Sequence, residues 1–419
     1  MCGIIGYTGA RDAAPILLAG LRRLEYRGYD SAGIATLEAG RMTVRKRAGR
    51  VGVLEESLAT EPAAGLCGLG HTRWATHGPA TDCNAHPHLG GAGDVAVVHN
   101  GVIENHAALR AELEAEGVVF QTQTDTEAIA HLIARELGRV DDLFEAVQRV
   151  LPRLEGTYGL GVVCPRWPAL IVGAKLGSPL VVGLGEGEHL LASDPSALAP
   201  YTARVAYLQD GEVVRLTADD FAIRHREHGS VTPRIDRIDW KPDAVELGGY
   251  AHYMQKEVHQ QPETVRDACR GRLRRAEGTA HFGGLNLSAR QLRRVRRVVL
   301  AACGTSWHAA LVGEYLIERL AHLPVEVEFA SEFRYRNAPL DDRTLVFVLS
   351  QSGETADTLG ALREAKRRGY PTLAICNAVG STIAREADGG IFLHAGPEIG
   401  VASTKAFSAQ VAVLLLLAL

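Results

Sequence analysis

Cys2, whose side chain is a thiol, is the second residue of the chain and can become the N-terminal residue of the mature protein. If an aminopeptidase removes Met1, which the small side chain of Cys2 allows, the cysteine gains a free α-amino group. That amine titrates near ~7.7–8.0 and an ordinary thiol near ~8.5, so both exchange protons close to neutral pH. An N-terminal cysteine can therefore use its own amine as general base. The alternative is that Cys2 is an incidental small residue before a strand.

A cysteine nucleophile also needs hydrogen-bond donors where negative charge develops on the attacked carbonyl. Asn100-Gly101 follows the apolar stretch 94–98, which we predict to be a strand ending at His99. At a strand end, a tight turn can aim the Asn100 side-chain amide and the Gly101 backbone N–H at one point. The alternative is that Asn-Gly forms only a common turn.

Two charged residues are candidates for holding a substrate beside the cysteine. Arg73 can grip an α-carboxylate with two parallel hydrogen bonds, and Asp125 can bind an α-ammonium group. The alternatives are a surface arginine and a helix N-cap. Together with Cys2, these charges predict a site for an amino acid with a scissile side-chain amide.

Two polar loops in the second half of the chain each follow a predicted strand and open a predicted helix. Residues 302–306 read Ala-Cys-Gly-Thr-Ser, and residues 350–355 read Ser-Gln-Ser-Gly-Glu-Thr. Helix N-termini present N–H groups that suit a phosphate, although Ser and Thr are also ordinary N-caps. Because the chain has neither a G-x-G-x-x-G nor a Walker sequence, a small phosphate ester is favoured over a nucleotide.

The pattern of predicted strands and helices changes along the chain, and these strands and helices must position the residues named above. Strands, helices and then short strands up to about residue 226 predict an α+β domain with two packed antiparallel sheets. From about residue 294, continuously apolar strands alternate with amphipathic helices, which predicts an α/β doubly wound parallel sheet. We therefore expect a first domain over 2–228, a linker and helical segment over 229–293, and a second domain over 294–419.

The composition narrows the classes of partner. The 419 residues suggest two to three domains, and a net charge of −4 without a basic block argues against nucleic acid. The seven cysteines are scattered and form no C-x-x-C pair, which predicts a reducing, cytoplasmic setting. The apolar run 411–419 is too short to span a membrane, and the N-terminus has no signal-peptide pattern.

Five segments resemble the N-terminal-nucleophile glutamine amidotransferases and, within that class, the glutamine–fructose-6-phosphate aminotransferase (isomerising) family. They are residues 2–4, 25–33, 71–78, 99–101 and 124–126. The resemblance implies that Cys2 is the nucleophile, its α-amine the base, and Asn100 and Gly101 the oxyanion hole. The glutamine-binding residues that it implies are Arg73, Thr76, His77 and Asp125. It further implies that Trp74 gates a channel carrying ammonia to a second site.

The two polar loops, together with residues 398–405, resemble the sugar isomerase (SIS) domain of the same family, and residues 253–257 also match. The sugar-phosphate ligands implied are Thr305, Ser306, Ser350, Gln351, Ser352 and Thr355, with Val401 and Ser403 beside the sugar. The partners implied are L-glutamine and fructose 6-phosphate and, for the full-length family, a second copy of the chain in a homodimer. The resemblance implies neither a cofactor nor a metal. Histidines 71, 77, 86, 88 and 99 on their own could suggest a metal cluster.

The family carries two SIS domains, and we expect the second, with the residues that act on the sugar, to be absent after Leu419. The family activity is glutamine hydrolysis with channelling of ammonia to fructose 6-phosphate, which yields glucosamine 6-phosphate and glutamate for amino-sugar biosynthesis. For this chain alone, we expect glutamine hydrolysis only. The alternative from another class is a non-catalytic regulator that binds a sugar phosphate. The SIS loops argue against amidotransferases that carry phosphoribosyl-transfer or ATP-using domains.

Overall fold

The computed structural model describes residues 2–238 and 247–419. The chain divides into two compact units, Met1–Pro242 and Asp243–Leu419. Across the described ranges, no helix has both the length and the apolar character needed to cross a bilayer.

Over residues 2–238, the first unit shows fifteen strands and five α-helices. The strands are β1 (Gly3–Gly9), β2 (Ser31–Glu38), β3 (Arg41–Ala48), β4 (Cys67–Arg73), β5 (His88–Gly90), β6 (Val95–Ile103), β7 (Gly156–Val163), β8 (Ile171–Leu176), β9 (Val181–Leu184), β10 (Glu188–Ala192), β11 (Arg204–Tyr207), β12 (Glu212–Leu216), β13 (Phe221–His225), β14 (Gly229–Val231) and β15 (Asp236–Arg237). The helices are α1 (Ala13–Leu24), α2 (Val51–Thr60), α3 (His106–Ala115), α4 (Thr126–Leu137) and α5 (Leu143–Val150).

These strands form an eight-stranded sheet in the order β15-β11-β9-β10-β1-β4-β2-β3 and a seven-stranded sheet in the order β14-β13-β12-β8-β7-β6-β5. One apolar core joins the facing sides of the two sheets, because Ile4 of β1 and Val98 of β6 belong to it. Alternate residues point outward: Ile5 packs with α1, and Val97 packs with α4 and α5. The result is a helix–sheet–sheet–helix sandwich, which confirms the predicted α+β class.

Strand β6 is longer than the sequence suggested. It does not end at His99 but runs to Ile103, because β7 pairs with it residue by residue, including Asn100 with Gly159 and Gly101 with Tyr158. The prediction that Asn100 and Gly101 lie at a strand end is therefore wrong. Gly101 has a φ of 134°, and a Cβ there would lie 2.0 Å from the Thr157 carbonyl oxygen, so only glycine fits.

The second unit contains α6 (Tyr253–Cys269), β16 (Leu273–Arg274), β17 (Thr279–Ala280), α7 (Ala289–Leu292), β18 (Arg297–Ala302), α8 (Gly304–Ala321), β19 (Val325–Phe329), α9 (Ala330–Arg336), β20 (Thr344–Ser350), α10 (Ala356–Arg367), β21 (Thr372–Cys376), α11 (Thr382–Glu386), β22 (Gly389–Phe392) and α12 (Lys405–Ala418). Strands β18 to β22 form a parallel sheet in the order β19-β18-β20-β21-β22. Helices α8 and α12 cover one face of it, and α9, α10 and α11 cover the other. This arrangement confirms the predicted doubly wound sheet.

The direction of winding reverses between β18 and β20, which are neighbours in the sheet although β19 lies between them in sequence. In open parallel sheets, ligands bind at such a point, beyond the carboxyl ends of the strands. The two loops predicted to bind phosphate follow β18 and β20, so they lie side by side at this point.

Part of the stretch assigned to the linker has regular structure. Strand β14 pairs with β13, and β15 pairs with β11, so residues 229–231 and 236–237 extend the two sheets of the first unit. The remainder of the polar stretch up to Gly249 lies largely outside the described residues. Helix α6 belongs to the second unit. The domain limits drawn from the sequence stay a prediction.

Candidate active site

Cys2 directly precedes β1 and is held by contacts to its thiol and its carbonyl. The Trp74 backbone N–H donates to Sγ over 3.2 Å, and Sγ lies 3.6 Å from the Trp74 carbonyl oxygen. The Cys2 carbonyl oxygen accepts from Nδ2 of Asn100 at 3.1 Å and from Nε of Arg27 at 3.3 Å. These contacts fix the thiol beside the turn that follows β4.

The thiol needs a base. Burial raises the pKa of Cys2, and the Trp74 N–H and nearby positive charges only partly oppose this effect. The thiol is therefore protonated near neutral pH. Within the described part of the chain, the hydrogen-bond partners of Sγ are backbone atoms of Trp74, not an imidazole. The α-amine of Cys2 remains the candidate base, as the sequence predicted.

Asn100 places its side-chain amide at Cys2 from the neighbouring sheet. Its Nδ2 points at the Cys2 carbonyl, and its Oδ1 lies 3.0 Å from Nε2 of His71. The next residue, Gly101, continues the strand. The structure thus brings both predicted oxyanion donors to one stretch of β6, anchored in a sheet rather than in a flexible turn.

Arg73 and Asp125 are both buried. Asp125 precedes α4, and its Oδ2 accepts the Ile103 N–H at 2.9 Å instead of capping the helix. Arg73 ends β4, and burial lowers its pKa while the charges of Cys2, Asp125 and Asp30 raise it. The charges of Arg73 and Asp125 are therefore within electrostatic range of each other and of Cys2.

The turn after β4 carries the remaining predicted glutamine ligands. The Arg73 guanidinium donates to the carbonyl oxygens of His77, Gly78 and Pro79 and so closes this turn on itself. Thr76 is exposed, and the His77 ring packs edge-on against His106 at 4.9 Å. Both side chains lie on the turn that Arg73 anchors.

Trp74 is partly open to solvent, with 44% of its surface exposed. Its ring contacts Tyr29 edge-on, with 5.4 Å between the ring centres. The Ala75 N–H donates to Asp30 Oδ2 at 2.8 Å, and the Asp30 N–H donates to the Arg73 carbonyl at 3.0 Å. The segment 29–30 therefore shapes the backbone from which Trp74 presents its N–H to Cys2.

Arg27 lies in segment 25–33, which resembles the glutamine amidotransferases, but the sequence alone predicted no role for it. Its guanidinium is buried, donates to the Cys2 carbonyl, and forms an ion pair of 3.0 Å with Asp194. The Tyr26 hydroxyl donates to the same carboxylate at 3.0 Å. Asp194 is more than 160 residues from Tyr26 and Arg27 in the sequence, so no local sequence pattern could have predicted this ion pair, which supports Cys2 through Arg27.

Four of the histidines considered as metal ligands form a buried cluster: His71, His86, His88 and His99. The rings of His71 and His86 stack at 4.0 Å, and His86 meets His88 edge-on at 4.4 Å. Burial lowers the pKa of His71 to about 3 and the pKa of the other three below its usual value. Among residues 2–238 and 247–419, no group of three His, Cys, Asp or Glu side chains is arranged to hold a metal ion.

The loop after β20 is organised by its own hydroxyl groups. The Gly353 N–H donates to Ser350 Oγ at 2.9 Å, and Ser350 Oγ lies 3.2 Å from Thr355 Oγ1. Gly353 has a φ of 66°, and a Cβ there would lie 1.9 Å from Ser381 Oγ, so the loop requires glycine. Gln351 and Ser352 are half-buried in the same loop. The loop therefore has the backbone shape and the hydroxyl donors expected of an anion site.

The loop after β18 leads into α8. Thr305 is exposed, whereas Ser306 is buried and its Oγ accepts from Nε2 of Gln410 in α12 at 2.9 Å. Thr305 and the free N–H groups at the start of this long helix can meet an anion directly. The side chain of Ser306 is already engaged in holding α12 against α8.

The segment between β22 and α12 is held by two carboxylates. Glu257 of α6 accepts from the N–H groups of Ile399, at 2.6 Å, and Gly400, at 3.1 Å. Glu398 accepts from Ser403 Oγ at 2.8 Å and from the Thr404 N–H at the start of α12. Val401 stands on this segment with 78% of its surface exposed. The resemblance of residues 253–257 to the family did not predict that Glu257 accepts hydrogen bonds from Ile399 and Gly400.

Comparisons with known proteins first define the class. A glutamine amidotransferase domain model matches residues 59–230, and a SIS domain model matches residues 291–419. The chain is thus an N-terminal-nucleophile-type glutamine amidotransferase unit joined to a SIS unit. Glutamine–fructose-6-phosphate aminotransferases of Symbiobacterium thermophilum and Chlorobaculum tepidum are 54% and 52% identical over the whole of this chain. The chain belongs to the glutamine–fructose-6-phosphate aminotransferase (isomerising) family.

The chain spans 68% and 69% of the length of these two relatives. Among solved structures, it is similar to the C-terminal domain of glucosamine-fructose-6-phosphate aminotransferase from Francisella tularensis. That match has 39% identity and a TM-score of 0.38, and it covers 41% of this chain and 48% of the other.

Proposed function

We propose that this chain hydrolyses glutamine at Cys2 to glutamate and ammonia and that its SIS unit binds fructose 6-phosphate, the substrate that the family converts to glucosamine 6-phosphate. The observation that carries the proposal is the convergence of Cys2, the Asn100 amide and the buried charges of Arg73 and Asp125. Release of glutamate and ammonia from glutamine by the purified chain tests the first half. Binding of fructose 6-phosphate, measured by isothermal titration calorimetry, tests the second.

The first step removes the thiol proton. Because burial keeps the Cys2 thiol protonated, its own α-amine accepts the proton, directly or through one water. The thiolate then attacks the side-chain amide carbon of glutamine. Asn100 Nδ2 and the Gly101 N–H stabilise the resulting oxyanion. The ammonium group returns its proton to the leaving nitrogen, so ammonia departs and a thioester remains.

The second step releases glutamate. Water attacks the thioester with the same amine as general base, and the regenerated thiol completes the cycle. Arg73 binds the α-carboxylate of glutamine and Asp125 its α-ammonium, with Thr76 and His77 closing over the substrate on the turn after β4. Trp74, exposed and carried on the same turn, gates the exit of ammonia.

The SIS unit contributes the acceptor site. Thr305, the loop 350–355 and the start of α8 bind the phosphate at the point where the winding of the sheet reverses. The segment holding Val401 and Ser403 covers the sugar. A purely regulatory sugar-phosphate binder would not require the complete set of residues around Cys2, so the catalytic function is favoured.

Three further properties belong to the proposal. The chain forms a homodimer, uses no cofactor, and works in the cytoplasm. All seven cysteines are free thiols, which fits a reducing compartment. Sedimentation of the purified chain tests the dimer.

Asn100→Ala is expected to lower kcat for glutamine hydrolysis by about 10²–10³, the usual cost of losing one oxyanion donor. KM should change little, because the donor acts mainly in the transition state. Steady-state kinetics measure both constants. Labelling of Cys2 by an electrophilic glutamine analogue should persist and shows that the site is intact. A variant with normal kcat would place the second donor elsewhere.

Glu257→Gln is expected to weaken binding of fructose 6-phosphate. The substitution keeps one acceptor but turns an amide N–H₂ toward backbone N–H groups, at a cost of about 1–3 kcal/mol if a buried donor loses its partner. Isothermal titration calorimetry on the full chain measures the affinity. The matched control is Glu263→Gln, an exposed carboxylate of the same helix. Equal effects of the two substitutions would contradict a specific role for Glu257.

A further inference from the structure

The side-chain amide of Asn100 has two unlike ends, and only one of them can serve as an oxyanion donor. Its Nδ2 lies 3.1 Å from the Cys2 carbonyl oxygen, and its Oδ1 lies 3.0 Å from Nε2 of His71. Rotation of the amide by half a turn would set oxygen against oxygen at Cys2 and remove the donor. The group that holds Oδ1 therefore decides which end of the amide faces the nucleophile.

His71 is built into the centre of the eight-stranded sheet. It lies on β4, opposite Ile4 of β1 and Gly33 of β2. Its Nε2 is 3.0 Å from two oxygens, Oδ1 of Asn100 and the backbone oxygen of His99. Because neither oxygen can donate, Nε2 carries the hydrogen, and this contact defines the tautomer.

The surroundings of His71 keep this donor in place. The side chain is only 1% exposed, and its ring stacks on His86. Its Nδ1 is buried without a hydrogen-bond partner among the described residues. Since burial lowers the pKa of His71 to about 3, the ring stays neutral at every pH at which the enzyme can be assayed. The hydrogen therefore remains on Nε2, where Asn100 needs it.

We propose that His71 is a positioning residue for glutamine hydrolysis: its Nε2–H holds Oδ1 of Asn100 and thereby turns Nδ2 toward the oxyanion that forms at Cys2. This inference rests on the proposed function, since it assigns a step of that same reaction. His71 acts through Asn100 and not on the reacting atoms. Its effect should fall on kcat rather than on glutamine affinity.

The first test compares two substitutions of His71. His71→Phe keeps an aromatic ring and removes the donor, so kcat should fall by at least about tenfold and by no more than the about 10²–10³ expected from losing Asn100 itself, with KM little changed. His71→Gln places an amide N–H₂ near the position of Nε2 and should recover part of the loss. If His71→Phe does not fold, His71→Asn replaces it, because that shorter amide ends near Nδ1 and cannot reach Asn100.

The decisive test is a double-mutant cycle with Asn100→Ala. If His71 acts through Asn100, removal of its donor should have little further effect on kcat once Asn100 is alanine. A loss of the same factor in both backgrounds would overturn the proposal. The matched control is His88→Phe, which alters the same buried cluster two rings away. An equal loss in that variant would assign the effect to packing of the cluster.

A structural readout separates this inference from the proposed function. Crystal structures of the His71 variants should show Nδ2 of Asn100 still at the Cys2 carbonyl in His71→Gln and displaced from it in His71→Phe or His71→Asn. An unmoved amide would overturn the inference even if the unmutated chain hydrolyses glutamine. If the unmutated chain does not hydrolyse glutamine, the proposed function fails, and the amide orientation still decides the positioning role.

Discussion

Cys2→Ala is expected to reduce glutamine hydrolysis by this chain to background. The loss in kcat should be on the order of 10⁶, the scale of losing the nucleophile of a hydrolase. The physical reason is that Cys2 supplies the nucleophilic thiol, whose Sγ accepts the Trp74 N–H, while the Asn100 amide lies at the carbonyl of the same residue. Glutamate release from isotopically labelled glutamine measures the effect over many orders of magnitude. Glutamine binding should persist, because Arg73 and Asp125 are unchanged.

The matched control is Cys83→Ala, which removes an exposed thiol of the same unit and should leave the rate unchanged. Mass spectrometry of the unmutated chain supplies a second check, since retained Met1 would convert the proposed base into a non-basic amide. Hydrolysis by Cys2→Ala at a rate comparable with that of the parent chain would refute the mechanism. Loss of glutamine binding in the variant would show instead that the fold is disturbed.

Much of the second unit could be predicted because its strands are buried on both faces. Such strands are continuous apolar runs, as in β20 and β21, where every residue is buried. The phosphate loops were visible for the same reason, since each follows such a run. Strand β1 is likewise largely apolar, and its two faces contact different cores.

The sequence was less informative where a contact joins distant residues or where an element is short. Helix α2 buries only Val51 and Leu54, so it has no full apolar face to detect, and β5 has three residues. The extension of β6 through Gly101 depends on its pairing with β7, more than fifty residues away. The cysteine, asparagine and two charges of the site were predicted from residue type, but the supports contributed by Arg27 and His71 exist only once the strands are paired.

The buried histidine cluster leads to the second large expected effect, loss of stability of the first unit in mild acid. Burial lowers the pKa of His71, His86, His88 and His99 in the folded state, whereas the unfolded chain titrates near ~6.5. Below that pH, these histidines bind protons in the unfolded chain but remain neutral in the folded chain. The stability of the unit is therefore intact above about pH 6.5 and falls as the pH is lowered toward the folded-state pKa values.

A histidine whose folded-state pKa lies well below its usual value lowers the free energy of unfolding by about 1.4 kcal/mol per pH unit. The three with the largest shifts, His71, His86 and His88, together lower it by roughly 4 kcal/mol per unit. Because a domain is stable by only about 5–15 kcal/mol, the first unit should unfold near pH 5. Urea titrations between pH 7.5 and 5.5 measure how the free energy of unfolding changes with pH. Hydrogen exchange in peptides of β4 and β6 then follows the same change at the histidine cluster. His88→Phe should reduce this pH dependence by about a third, and His228→Phe, at an exposed site, should not change it. Stability that is independent of pH in this window would mean that the cluster accepts protons while folded.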